Sequence, residues 1–309
     1  EDFMNKLVER SERIRSGGVD PSVDNMLLIT ADGKKLSIDP RILDESVLVD
    51  DNSSKLGEIC NNIAKEYSES MDIKGTQLVF LDCSTPNKDH WNMYDAIKNM
   101  LIVKGIPSEE IEYIHNADTK AKKEKLFKAV NDGEIRVLIG STSKMGTGMN
   151  VQTRIVAIHH ADVPWRPADI EQRNGRGIRN GNINNHVNIY RYITKGSFDA
   201  RAWQTVEDKQ KFIGALMHGH KNIGRSMDGD LFDEATLSYG EIKACALKDP
   251  RIKEYFELEN EINTLRVKVT SEKMQVRTLN SKIYRLPSVI EQRKKYLENI
   301  HMLNAENTY

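Results

Sequence analysis

Residues 135–152, IRVLIGSTSKMGTGMNVQ, decide how the chain reads. An apolar run, Ile135–Ile139, passes directly into a loop of small and hydroxylated residues that includes Ser141, Thr142, Gly146, Gly148 and Asn150. An apolar run without alternation reads as a strand buried on both faces, which is the habit of parallel sheets. The pattern recurs on either side. A helix from Lys55 to Tyr67, with Leu56, Ile59, Ile63 and Tyr67 on one face, precedes a strand at Gln77–Leu81. There follow a helix at 91–104, a short strand near Glu112–His115 and a helix at 119–131. Beyond the quoted stretch come a strand at Arg154–His159, a helix at 167–178 and a strand at Val187–Tyr192. Strands alternating with amphipathic helices predict a doubly wound α/β domain of roughly 150 residues. Ligands bind such sheets beyond the carboxyl ends of the strands, so chemistry is expected just after Leu81, Ile139 and His159.

The flanks differ in character. Residues 1–17 read as a charged helix closed by Gly17-Gly18, and NMLLITADGKKLSI reads as a hairpin around Asp32-Gly33. After Ser197 we expect a helix at 198–217, a loop at 219–234 and a short helix at 236–247. From Leu258 onward apolar residues fall at alternating spacings of three and four, through Ile262, Leu265, Val269, Val276, Leu279, Ile283, Leu286, Ile290, Leu297 and Ile300. That is a heptad seam, and Pro287 predicts a break within it and a helical hairpin in place of one rod. The seam serves either packing on the same chain or self-association. The expected parts are an extension over 1–53, the α/β domain over 54–197, a helical extension over 198–250 and a coiled-coil or hairpin tail over 251–309.

With 309 residues, 39% of them hydrophobic and 29% charged, the chain has the composition of a folded, solvated protein and is long enough for more than one part. Cys60, Cys83 and Cys245 are widely separated, so neither a disulfide framework nor a zinc site is indicated, and no metal-ligating set stands out. No stretch reaches the roughly 18 apolar residues of a membrane span and no targeting segment opens the chain, so a cytoplasmic protein without a membrane partner is expected. Glu1 in place of an initiator Met predicts a piece of a longer protein. The formal net charge of −1 leaves polyanion binding to local clusters. One is Lys120, Lys122, Lys123, Lys125 and Lys128, read first as a solvated helix face; the other is Arg166, Arg173, Arg176 and Arg179.

Three strand-end loops carry the chemistry. In IRVLIGSTSKMGTGMNVQ, glycines let the backbone approach a phosphate or sugar and hydroxyls add donors, although no GxxxxGK[ST] loop occurs in the sequence. In DVPWRPADIEQRNGRGIRNG (162–181), the spacing places Gln172, Arg176 and Arg179 on one helix face. Clustered guanidiniums repel unless an anion lies between them, and their fork of donors matches phosphate oxygens. A solvated basic helix is the plain alternative. In QLVFLDCSTP, Ser84 and Thr85 end a buried strand and could meet a nucleic-acid backbone.

STSKMGTGMN followed by QRNGRGIR resembles motifs V and VI of superfamily-two helicases, with QLVFLDCST in the place of motif IV. The stretch DVPWRPADIEQRNGRGIRNGNINNHVNIYRYITKGSFD resembles the Swi/Snf-type translocases. FDARAWQTVEDKQKFI and LSYGEIKACALKDPRIKEYFELENEI resemble large bacterial and phage proteins in which an adenine-specific DNA methylase precedes a helicase. The resemblance implies a RecA-like second motor lobe. It implies that Arg176 and Arg179 reach across to a triphosphate, with Arg179 the finger, and that Gln172, Gly146, Gly148 and Asn150 lie beside the nucleotide. Asn150 stands where many relatives carry an acidic residue. Ser84, Thr85, Ser141 and Thr142 match positions that touch DNA, while Trp165 is expected to pack the motif VI helix. ATP and Mg2+ would be bound mainly by a first lobe that is not in this sequence, and the implied partners are double-stranded DNA, that lobe and a methylase domain. The chain alone would then hydrolyse no ATP. The other reading is a non-catalytic scaffold or DNA-binding module built on a degenerate motor lobe and a coiled-coil tail.

Overall fold

The computed structural model describes residues 2–145, 148–217 and 250–306; the expected loop at 219–234, the helix at 236–247 and Gly146 lie outside them. The chain divides into two units, Glu1–Pro250 and Arg251–Tyr309. At the centre of the first stands a parallel sheet of β1 (Thr76–Phe80), β2 (Ile111–Tyr113), β3 (Val137–Gly140), β4 (Ile155–His160) and β5 (Asn188–Arg191). Their order is β2-β3-β1-β4-β5, with every neighbouring pair parallel, a RecA-like arrangement.

The two faces of β1 show why both sides are covered. Side chains alternate across a strand, so Val79 and Leu81 join one core with α3 (Lys55–Glu69) and α4 (Met93–Val103), through Ile59, Ile63, Tyr94 and Ile97. Leu78 and Phe80 join the opposite core with Leu126 and Val130 of α5 (Lys120–Asp132) and Ile155 and Ile158 of β4. Local signals fix the helices between strands. Ser54, Asn92 and Thr119 cap the starts of α3, α4 and α5 with side-chain oxygens that accept from backbone N–H groups. Gly133 ends α5 at φ +77°, the left-handed cap conformation that glycine adopts without strain.

The expected hairpin at the amino terminus is instead a helix, α2 (Met26–Ile38), packed on α1 (Asp2–Arg15). Asn25 caps it by accepting from Leu28 N at 3.0 Å, and Arg10 of α1 bonds both Asp24 and Asp32, so Asp32-Gly33 lies within a pinned helix. Gly33 is there for contact: a Cβ would collide with the Phe198 ring of α8 (Phe198–Met217). Leu7, Ile29 and Phe198 form a core of their own, and Ser37 of α2 binds both Thr194 Oγ1 and Phe198 N. Lys55 and Asp199 add a buried ion pair. The amino-terminal segment is thus part of the packed body.

The described residues of the second unit lie in a helix, α9 (Pro250–Glu306), which runs through Pro287 without the predicted break. A helical proline costs about 3 kcal/mol through its missing N–H and ring clash, a local loss that propagation on both sides offsets. The heptad residues from Leu258 to Leu297 are about half exposed, Leu265 at 52% for example. Among the described residues no helix is long and apolar enough to cross a membrane.

Candidate functional site

The carboxyl ends of β1, β3 and β4 open onto a cleft of about 570 Å³. Its floor is a buried charge network. Asp82, two residues past β1, accepts from Thr142 N at 2.6 Å and Thr142 Oγ1 at 2.8 Å. Asp162, after β4, accepts from Asp82 N at 2.7 Å and Cys83 N at 3.1 Å. Arg173 of α7 (Pro167–Asn174) joins them, donating to Asp82 Oδ2 at 2.7 Å, Asp162 Oδ1 at 2.9 Å, Asp162 O at 3.0 Å and Thr142 Oγ1 at 2.8 Å. Arg173 and Asp162 are both wholly buried. Burial pushes the Asp162 carboxyl up, but Arg173 and Lys34 outweigh it and hold the group below the usual carboxylate range. His160, at the end of β4, bonds Asn174 Oδ1 at 2.9 Å; burial, then Arg173, push its pKa down to about 4. The adjacent His159 sits between Tyr192 and Gln77 and is pushed by burial down to about 3. Both imidazoles are neutral near pH 7.

Thr142 therefore has its hydroxyl committed: it donates to Asp82 and accepts from Arg173. Ser141 is nearly buried and shares a hydrogen bond with Ser143 at 3.1 Å. Both line the cleft with exposed Thr85. Ser84 adopts φ +56°, a region that non-glycine residues seldom occupy, and is held there by accepting from Met93 N at 2.9 Å, at the start of α4. Gln172 lines the same cleft.

Helix α7 ends at Asn174, so Arg176 and Arg179 stand in the turn after it and not on its face, as the spacing had suggested. Glycine at 175 and 177 and the bonds from Gly177 N and Ile178 N to Asn174 O close that turn. Arg176 donates from Nη1 to Met149 O at 3.2 Å, which ties it to the glycine loop after β3. Partial burial and the like charge of Arg179 hold its guanidinium below the ordinary range. Arg179 is exposed. Gly148 and Asn150 are exposed on the same loop, Gly148 at φ +69°, and Asn150 O accepts from Asn131 at 2.8 Å.

Trp165 and the lysines of α5 have defined surroundings as well. Trp165 is half-buried with the Lys34 ammonium 5.0 Å from its ring centre, so it packs toward α2 rather than onto α7 alone. The α5 lysines are solvated, with Lys120, Lys122 and Lys128 facing Glu124, Asp118 and Asp132. Reading the sequence missed Asp82, Asp162 and Arg173 as one unit. The available signal was an acid two residues past the end of each of two strands that a parallel sheet sets side by side.

Residues 73–181 match the model described as "Helicase conserved C-terminal domain". Over 107 residues the chain is 33% identical to the "Defense against restriction protein B" of Escherichia phage P1, a match covering 35% of this chain and 5% of that protein. Solved structures give more distant likenesses. The C-terminal part of the Fun30 ATPase domain aligns at 19% identity and a TM-score of 0.42, covering 71% of this chain and 59% of that one. The DUF1998 helicase MrfA bound to DNA aligns at 13% and 0.37, covering 62% and 22%. By its matched model, and with a sheet of parallel topology, the segment 73–181 is a helicase conserved C-terminal domain.

Proposed function

We propose that this chain is the second motor lobe of an ATP-dependent DNA helicase or translocase of Swi/Snf type, working with an ATP-binding first lobe in a larger protein. The observation that carries the reading is Arg176 bonded to the glycine loop at Met149 O with exposed Arg179 beside it, two neighbouring guanidiniums whose like charge an anion would relieve. The donors here are guanidiniums, an amide and backbone N–H groups, a set that suits phosphate oxygens and not a cation. ATP supplies the phosphoryl group, and Mg2+ takes its protein ligands from the first lobe. On this reading Arg179 stabilises charge on the transferring phosphate, with Arg176, Gln172, Gly146, Gly148 and Asn150 bordering the nucleotide. Ser84, Thr85, Ser141 and Thr142 border the DNA backbone. Because Thr142 has no hydroxyl to spare, its part is to position the loop after β3.

The likeness to a phage protein named for defense against restriction supports a bacterial or phage setting, in the cytoplasm of the host. A restriction-modification or methylase-type parent and duplex translocation belong to the same proposal. The domain layout extends it: an extension over 1–53, the motor lobe over 54–197, helices over 198–250 and a self-associating tail over 251–309. The half-exposed heptad row of α9 favours a second reading, a scaffold that recruits through this helix. ATP hydrolysis with and without duplex DNA separates the two. The purified chain should show none, and the longer protein carrying a Walker A lobe should show DNA-stimulated turnover. A longer protein without DNA-stimulated turnover would leave the scaffold.

A further inference from the structure

We propose that Lys209 of α8, with Lys144 and Arg166, forms a three-cation track along the mouth of the sheet that grips successive phosphates of a DNA duplex. This rests on the motor-lobe reading above and extends it beyond the matched segment, which ends at residue 181. Three separate elements bring the cations to one cleft. Lys144 comes from α6 (Thr142–Met145), Arg166 from the loop between β4 and α7, and Lys209 from α8.

The packing of α8 explains how Lys209 arrives there. Ala202, Val206 and Lys209 recur at the spacing that stacks residues on one helix face. The first two are buried with Val163 and Ile170, which fixes the rotation of the helix and carries its next turn to the cleft wall. Charge in the cleft is lopsided. The Asp82 carboxylate is consumed by Thr142 and Arg173, and Asp169 meets Arg166 only at 3.8 Å, with Arg166 70% exposed. Among the described residues neither Lys144 nor Lys209 forms an ion pair with a carboxylate. Three cations against two acids, one of them already shared with Arg173, leave this concave surface with an excess of positive charge that a polyanion relieves, and the hydroxyls of Thr85 and Ser143 add neutral donors. The one large aromatic in the lining, Trp165, has a ring face covered by Lys34, so it offers little platform for stacking unpaired bases. That favours a gripped duplex backbone over a threaded single strand.

The test is binding of a fluorescent duplex to the full chain, followed by anisotropy across a salt series. Each phosphate contact contributes about 0.9 to the slope of log affinity against log salt. Lys209→Gln should lower the slope by about that amount without changing the melting temperature, Lys209→Arg should restore it, and Lys122→Gln on α5 should leave it at the wild-type value. A wild-type slope for Lys209→Gln overturns the track and leaves the motor lobe standing. No salt-dependent duplex binding by the wild-type chain overturns both. Tighter binding of a single strand of the same length overturns the duplex assignment.

Discussion

Arg173 lies wholly inside the protein, bonded to two carboxylates, a hydroxyl and a backbone carbonyl, whereas Arg179, further along the same segment, is exposed beyond the end of the helix. Arg176 stands between the two, half-buried and bonded to the glycine loop. The residue type is the same and the surroundings divide the labour. Two acids at the ends of neighbouring parallel strands would repel in the interior, and Arg173 bridges both, with Lys34 adding positive charge near Asp162, while holding the loops after β1 and β3 in register. Among the described residues Arg179 forms no ion pair with an acid, and on the proposed reading it meets the nucleotide. A row of arginines is therefore not one site: burial and partner count set the clasp at 173 apart from the exposed guanidinium at 179.

The sharpest way to break this contrast is Arg173→Met. Removing one partner of a buried pair leaves Asp162 uncompensated, at a cost of about 3–5 kcal/mol; thermal or denaturant unfolding should show a destabilised or unfolded chain. Unchanged stability would mean that Arg173 is not a clasp.

Acidification comes next. His159 and His160 hold folded-state pKa values of about 3 and about 4, below the ordinary 6.5. The unfolded chain then binds more protons than the folded one between these limits, so stability is kept above pH 6.5 and lost as pH falls below it. By pH 5 the loss should be about 2 kcal/mol for each histidine, seen as a falling denaturation midpoint. A flat profile from pH 7 to pH 5 would contradict the neutral, buried assignment.

Gly33→Ala is smaller and has an informative sign. Alanine gains about 1 kcal/mol over glycine in a helix interior, but here its Cβ meets the Phe198 ring, and overpacking costs about 1–3 kcal/mol. Net destabilisation is expected on melting, and a gain would show that α2 and α8 are less closely packed than described. Smallest of all, Arg179→Ala should change stability by no more than about 0.5 kcal/mol, as exposed substitutions do.

The same contrast shows what the sequence could reveal. Leu78–Leu81, Val137–Ile139 and Ile155–Ile158 are continuous apolar runs, and a strand covered on both faces has no other way to look, so the parallel sheet was legible. Asp32-Gly33 looks like a hairpin turn because turn chemistry is local, while the contacts that make it helical, Arg10 and Phe198, are remote. Pro287 is a local helix breaker inside a long helix that outweighs it. The guanidiniums at 173, 176 and 179 were legible as a cluster, but their division was not, because it depends on which strand ends lie adjacent. Lys209 carried no signal, since its place in the cleft follows from how α8 packs.

The most direct measurement is DNA-stimulated ATP turnover by the longer protein carrying Arg179→Ala, alongside its nucleotide affinity and melting temperature. Loss of an arginine finger costs about 10³–10⁵ in turnover, so turnover should collapse while melting and nucleotide affinity stay close to wild type. Turnover within a few-fold of wild type, or equal loss of nucleotide binding and turnover, would contradict the assignment of Arg179 as the finger.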